Sequence, residues 1–299
     1  MLKSLLLAAR PKTLPAAIVP VWVGCVLAWK ATGSFSWLLA LATVGSAICI
    51  QIATNFFNDA IDDAKGADTE ARLGPTRVTA SGLLSRKTVY LLATMFLVAA
   101  AFCAWPLIAA RGWVILAIGI PSLFLAYGYT GGPFPLAYLG LGEIFVVLFF
   151  GIIAVTGTVF VQTGLFLPQA AWLGLTVGCL SAVLITINNL RDIEEDTASN
   201  KRTLAVRWGF EKASNLIRIE YLVAIVSFYI ARKVQLGEPP ITDMFFAVLI
   251  LAFPAIRVVS SVKENGPSPA LNGQLALAGA HLLIFALGWQ MLALFSRGG

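Results

Sequence analysis

Two sets of carboxylates, far apart in the chain, have the spacing to hold a divalent cation against a phosphorylated ligand. The first is Asn58, Asp59, Asp62 and Asp63, with Asp68 and Glu70 close behind; the second is Asn188, Asp192, Glu194, Glu195 and Asp196. Asn55, Asp59 and Asp63 are spaced N-x-x-x-D-x-x-x-D, and Asn188, Asp192 and Asp196 repeat that spacing 133 residues later. On a helix such positions share one face, so each set can aim carboxylates at a common space. Asn58 and Asp62 fall on a different face from Asp59 and Asp63, so the residues alone leave the first register open between them. Mg²⁺ suits such a place, because it is held by one or two carboxylates with waters and substrate phosphates completing its shell.

Cations follow each set: Lys65, Arg72 and Arg77 after the first, and Lys201, Arg202 and Arg207 after the second. A polyanion bridged to carboxylates through a metal needs such donors on its remaining oxygens. Carboxylates alone would repel a diphosphate. The plainer reading is solvated loop ends with local charge pairs, but ten of the fifteen carboxylates fall in residues 58–88 and 190–214, a concentration that argues for a site. A third polar stretch, Tyr127 to Glu143, places Tyr127, Tyr129 and Tyr138 around a Gly/Pro-rich turn. Aromatic faces stabilise cations and phenols can orient an aromatic partner, although a single Tyr here would read as an interfacial belt residue. Glu143 opens an apolar run and would sit well at the positive end of a helix, as a base or an orienting group.

The elements that must position these groups are membrane helices. Of 299 residues, 59% are apolar and 12% charged, about half the charge expected of a soluble domain. Apolar runs long enough to cross a bilayer fall near 14–31, 36–57, 89–109, 112–130, 143–163, 169–189, 215–232, 241–261 and 274–295. The expectation is an all-α integral membrane protein of nine transmembrane helices in a single domain, 1–299, around a central cavity open to the cytoplasmic side. With nine helices, one side carries 16 of the 21 Lys and Arg residues and both acidic segments, and the positive-inside rule makes that side cytoplasmic. The net charge of +6 is thereby a matter of topology, and no basic patch interleaved with aromatics suggests nucleic acid.

Cys25, Cys49, Cys103 and Cys179 all lie in apolar runs without motif spacing and read as small packing residues. His281 lies in the ninth run, where a packed or lumen-facing role is expected. The N-terminal region is broken up by Arg10, Pro11, Lys12, Pro15 and Pro20, so its first run is read as a retained helix.

A phosphorylated substrate that suits membrane helices is a polyprenyl diphosphate, whose tail partitions into lipid while its head stays at the surface. With these residues assembled, the chain resembles the UbiA superfamily of intramembrane aromatic prenyltransferases, and within it the branch acting on 1,4-dihydroxy-2-naphthoate. The resemblance runs through R10-P-K-T-L-P, N58-D-A-I-D-D-A-K-G-A-D68, R72-L-G-P-T-R77, Y129-T-G-G-P-F-P-L, G140-L-G-E143, N188-N-L-R-D-I-E-E-D196 and N200-K-R-T-L-A-V-R207-W-G209. In the superfamily pattern N-D-x-x-D-x-x-x-D the last acid falls on Gly66 here, and Asp68 is the implied substitute.

The resemblance implies Mg²⁺ held by Asp59 or Asp62 with Asp192 and Asp196, and Arg77 and Lys201 as cationic partners. Asn58, Lys65, Asp68, Arg72, Tyr129, Tyr138, Glu143 and Asn188 would contact substrates. It implies transfer of a polyprenyl or phytyl group to 1,4-dihydroxy-2-naphthoate with loss of CO₂, a step toward menaquinone or phylloquinone. 4-Hydroxybenzoate or homogentisate are the rival acceptors. A transporter of an organic anion is the rival of another class, though transport sites favour mid-bilayer and these acids crowd one face.

Overall fold

The computed structural model describes residues 2–67 and 73–295. A short helix, α1 (Leu2–Ala9), and a 3₁₀ turn (Pro11–Thr13) lead into α2 (Pro15–Thr32) and α3 (Trp37–Ala64). Then follow α4 (Arg86–Arg111), α5 (Trp113–Gly128), α6 (Gly142–Thr163) and α7 (Pro168–Arg191). The chain closes with α8 (Ile193–Ala198), α9 (Leu204–Leu236), α10 (Ile241–Asn265) and α11 (Leu271–Phe295). All regular structure among the described residues is helical.

Eight of these helices are long and apolar enough to cross a membrane, which makes the chain an integral membrane protein. The expected run at 112–130 forms α5, apolar but only 16 residues long, because Gly112 starts it with φ 67° and the chain turns away at Tyr129. Two helices outrun their apolar stretches. α3 continues to Ala64 and α9 begins at Leu204, so parts of the segments expected as loops at 58–88 and 190–214 are helix. These extensions lift the first acidic set, and the Gly209 kink (φ 75°) that bends α9 near its start, off the ends of the spans.

α7 is the hub, with 78% of its most apolar stretch buried, and it packs most extensively on α9. Against α6 the two backbones touch. A Cβ on Gly151 would lie 2.4 Å from the Gly174 carbonyl oxygen, and one on Gly178 would lie 2.5 Å from that of Val147. Small residues four apart, Gly174 and Gly178, are what allow this approach, and in lipid close backbone packing replaces much of the hydrophobic drive. α6 carries a π-helical stretch, Val147–Ile153, at the same place.

α10 has a second π-helical stretch at Ala247–Ala252, and there the Ile250 carbonyl accepts from His281 Nε2 at 2.6 Å. His281 is buried and stacked on Tyr221, outside the cavity lining, in the packed role expected of it. Cys25 and Cys179 are buried; Cys49 and Cys103 are half-buried, and all four are free thiols.

Candidate active site

A cavity of about 360 Å³ runs between α2, α3, α4, α5, α6 and α7. One end is polar, lined by Asn58, Asp62, Arg77, Glu143, Asn188 and Lys201; the other is lined by Thr43, Leu107, Ile115, Ile118 and Val161. From Asp62 to Thr43 the cavity follows α3 for about 28 Å at 1.5 Å per residue.

α3 sorts the first acidic set by its faces. Asn55, Asn58 and Asp62, at heptad-like spacing, line the cavity. Asp59 does not; its carboxylate accepts from the backbone N–H of Val78 at 3.2 Å and of Thr79 at 2.9 Å, pinning the segment that carries Arg77 to α3. Asp63 points away as well and pairs with Arg86 at 2.6 Å, partly in solvent. Of the two registers that the sequence left open, Asn58 and Asp62 are the one on the cavity face of α3, and Asp59 and Asp63 are not. Asp68 and Arg72 lie outside the described residues.

Asp62 is the meeting point. Its Oδ2 takes Arg77 Nη2 at 3.3 Å, and its Oδ1 accepts from the Tyr138 hydroxyl at 2.9 Å. Lys65 Nζ sits 3.8 Å from the Tyr138 ring centroid and donates to the Thr130 carbonyl at 2.8 Å, while the Thr130 hydroxyl bonds Asn58 Oδ1. Lys201 Nζ lies 5.8 Å from the same tyrosine ring and 3.3 Å from Asp196 Oδ1. A chain of contacts, Asp62 to Tyr138 to Lys201 to Asp196, therefore joins the two acidic sets. Burial opposes the charge on Lys201, but Asp62, Asp196 and Asp192 together outweigh it and hold the ammonium above its ordinary range.

Loop docking makes this junction. The Arg202 N–H donates to the Tyr138 carbonyl at 3.1 Å, and Arg207 Nη2 to that of Leu139 at 3.0 Å. Gly140, at φ 69°, lies where a Cβ would meet the Arg202 carbonyl at 2.8 Å, so only glycine satisfies both the turn and the approach.

The second set is not one continuous helix. α7 ends at Arg191, Asp192 adopts φ −97° and ψ 16°, and α8 restarts at Ile193, although the Asp196 N–H still reaches the Asp192 carbonyl at 2.8 Å. Both Asp192 oxygens are held by Arg191, Nε to Oδ1 at 2.7 Å and Nη2 to Oδ2 at 2.6 Å. Arg191 also reaches Asn188 Oδ1 and Asn272 Oδ1, each at 2.7 Å. This arginine was not among the residues singled out from the sequence. Asp196 is different: its Oδ2 is buried with no hydrogen-bond partner among the described residues, and burial pushes its carboxyl up to about 6 despite Lys201. A buried oxygen of this kind, with Asp62 and Asp192 near by, fits a hard cation that takes its other ligands from water and phosphate. No cluster of three or more His, Cys, Asp or Glu able to enclose a metal is present among the described residues.

Glu143 opens α6 as expected. Its Oε1 accepts from Asn189 Nδ2 at 2.9 Å, whereas Oε2 is buried without a partner and the residue lines the cavity. Below it runs an aromatic ladder, Tyr129 to Phe145 at 5.1 Å and Phe145 to Phe149 at 4.6 Å between centroids. Tyr127 leaves the expected trio; it is exposed and packs edge-on against Phe57. Phe145 and Phe149 had no polar signal to mark them in the sequence, since they occur in an unbroken apolar run.

Residues 17–273 match the UbiA prenyltransferase family. A 1,4-dihydroxy-2-naphthoate octaprenyltransferase of Haemophilus influenzae is 33% identical over 94% of this chain and 93% of its own length. A protein of the same name from Mycobacterium tuberculosis is 33% identical over 93% of this chain and 92% of its own. Among solved structures, a UbiA homologue from Archaeoglobus fulgidus bound to DMAPP and Mg²⁺ superimposes with a TM-score of 0.69 at 16% identity, covering 98% of this chain and all of that one, a likeness of fold. With most of the chain matched, its helices in the same arrangement and Asp62 and Glu143 at one end of a bundle cavity, the protein belongs to the UbiA prenyltransferase family.

Proposed function

We propose that this protein transfers a prenyl group from a polyprenyl diphosphate to 1,4-dihydroxy-2-naphthoate, with loss of CO₂, on the route to menaquinone or phylloquinone. The carrying observation is the junction of Asp62, Tyr138, Lys201 and Asp196, of which Asp62 and Lys201 line the polar end of a cavity whose far end is apolar and Tyr138 and Asp196 stand behind them. The relatives that share a third of its residues bear the name of that reaction. The chain acts as one catalytic unit over residues 1–299, α5 serves as a ninth span, and the polar end faces the cytoplasm, where 16 of the 21 Lys and Arg residues are expected.

Asp62 and Asp196, with Asp192 and Asn188 beside them, would hold Mg²⁺, which supplies positive charge to the diphosphate as its bond to the allylic carbon breaks. Lys201, Arg77 and Lys65 offer cationic donors to the remaining phosphate oxygens. Asp59 keeps the Arg77 segment in place through the N–H groups of Val78 and Thr79. Departure of diphosphate leaves an allylic cation, and the faces of Tyr129, Phe145 and Phe149 shield it from water and stabilise it by their quadrupoles. The naphthoate ring carbon that carries the carboxylate attacks this cation. A C–C bond forms, the bond to the carboxylate breaks, and its electron pair returns to the ring as CO₂ leaves. Glu143 Oε2 is placed to accept a hydrogen bond from an acceptor hydroxyl, with Asn189 fixing the carboxylate's orientation.

The test is a reaction of lipid-reconstituted protein with Mg²⁺, a prenyl diphosphate and either 1,4-dihydroxy-2-naphthoate or 4-hydroxybenzoate, with products identified by mass. Decarboxylated prenyl naphthoquinol from the naphthoate, and no product from the benzoate, is the expected outcome. Prenylation of the benzoate alone overturns the assignment.

A further inference from the structure

The turn between α1 and α2 carries two cations and no assigned task. Arg10 and Lys12 both line the polar end of the cavity. Arg10 has φ 49° and ψ 68°, a left-handed conformation that side chains with a Cβ disfavour and that glycine would adopt freely. Strained backbone of this kind persists only where its surroundings dictate it, and it concentrates where ligands are held.

The surroundings here are a set of buried amides. Asn55 Nδ2 donates to the Ala9 carbonyl at 2.9 Å and to Thr13 Oγ1 at 3.0 Å, Gln51 Nε2 donates to Thr13 Oγ1 at 3.3 Å, and the Thr13 hydroxyl bonds the Arg10 carbonyl at 2.9 Å. Gln51 and Asn55 are themselves buried, so α3 grips the turn on both sides of Arg10. The amides fasten a cationic turn to the helix that presents Asp62. Directly below it, α2 lines the cavity with Ala16, Ala17 and Pro20, side chains too small to fill the space and flat enough to take a ring.

From this arrangement we infer that Arg10 and Lys12 bind the carboxylate of the aromatic acceptor, with its ring lying on the Ala16, Ala17 and Pro20 shelf. Three features favour an acceptor carboxylate over the donor's diphosphate. The donor's metal-binding acids gather with Lys65, Arg77 and Lys201 around Tyr138, whereas the Arg10 turn belongs to another element and has its own support. The shelf accommodates a rigid ring, while the isoprenoid tail has the long apolar end toward Thr43 and Leu107. A carboxylate held from this side leaves the acceptor's hydroxyl edge for Glu143, which lines the same end.

The inference rests on the acceptor reading above, and its test separates the two. Arg10→Gly retains the left-handed turn without the guanidinium, and Lys12→Gln removes the second charge. Each is assayed in reconstituted protein with Mg²⁺ and geranylgeranyl diphosphate, against 1,4-dihydroxy-2-naphthoate and against 1,4-dihydroxynaphthalene, which lacks the carboxylate. KM for the naphthoate should rise about tenfold or more in Arg10→Gly, the loss of one charge-assisted contact, while donor KM moves less than about threefold. The preference for naphthoate over the diol, as a ratio of kcat/KM, should shrink by a similar factor. Thermal unfolding of Arg10→Gly checks that the fold persists, and Lys12→Gln, on an exposed side chain, supplies the same readout without touching the turn. An unchanged naphthoate preference in both variants overturns the inference, as does a rise in donor KM alone, which would give these cations to the diphosphate. Failure of the wild-type protein to use the naphthoate at all would instead sink the acceptor reading.

Discussion

Asp62 and Asp63 are neighbours in sequence with opposite surroundings, and the difference sets what each substitution does. Asp62 is buried among Arg77, Tyr138 and the cavity; Asp63 makes a partly exposed pair with Arg86, the kind of contact worth about 0–1 kcal/mol. Asp62→Asn should lower turnover about 100-fold or more, since on the proposed reading its carboxylate would hold the cation that offsets the charge of the departing diphosphate. Asp63→Asn should stay within about threefold of wild type, as a surface pair has little to withdraw. Steady-state assays over a Mg²⁺ titration read both, and equal losses in the two variants would mean that the α3 face is assigned incorrectly. The positions were legible beforehand: residue type and spacing marked both acidic sets, and the resemblance put Asp62 ahead of Asp63 while leaving Asp59 beside it. Arg191 was not legible, for a definite reason. Side chains at i and i+1 do not face each other on a helix. Its bidentate grip on Asp192 exists only because the chain leaves helical geometry at that residue, and nothing in the adjacent sequence marks the break.

At the scale of elements, the site is a consequence of where helices stop and how closely two of them approach. Hydropathy located eight of the nine expected spans, because an apolar stretch must be covered by lipid or protein, and the ninth run became the shorter α5. It misplaced the ends of α3 and α9, since a helix needs no apolar side chains to continue into water once its hydrogen bonds are propagating. The α6 and α7 contact was equally hidden, as glycines four apart occur in many apolar runs and only coordinates reveal which backbone lies against them. That contact holds Glu143 on α6 opposite Asn189 on α7. Gly178→Val would drive its side chain into the Val147 carbonyl, 2.5 Å from the new Cβ, with backbone on both sides and no flexible group to yield. Overpacking of this sort costs about 1–3 kcal/mol or more, so the variant should melt several degrees lower and lose activity in proportion. Gly119→Ala, with nothing within 4 Å of its Cβ, is the control expected to match wild type in a thermal melt of detergent-solubilised protein. Comparable melting of Gly178→Val and wild type would show that the helices can separate without cost.

Across the whole molecule, the cavity extends through most of a hydrocarbon core of about 30 Å and then stops. Its lining ends at Thr43 on α3, Leu107 on α4, Ile115 on α5 and Val161 on α6. Immediately beyond, Leu39, Ala42, Ile108 and Val114 pack with Leu107, Ile115, Phe160 and Val161 into a separate apolar cluster. Polar ties lock that plug in place. Gln162 exchanges hydrogen bonds with the Ser36 backbone at 2.9 and 3.1 Å, and Arg111 donates to the carbonyls of Phe160, Val161 and Gln162 at 2.8 to 3.1 Å. On the proposed reading, a tail whose diphosphate lies near Asp62 would run toward this cluster, and side-chain volume there should govern which donors bind well. Val161→Phe should raise KM for long prenyl diphosphates about tenfold while short ones change little, and Leu107→Ala should favour longer donors, an effect on the scale of a few buried methylenes. Competition among donors of graded length in one reaction, with product ratios measured by mass, gives the answer directly. Unaltered ratios in both variants would mean that the tail leaves sideways between helices, and that lipid, not the plug, receives its end.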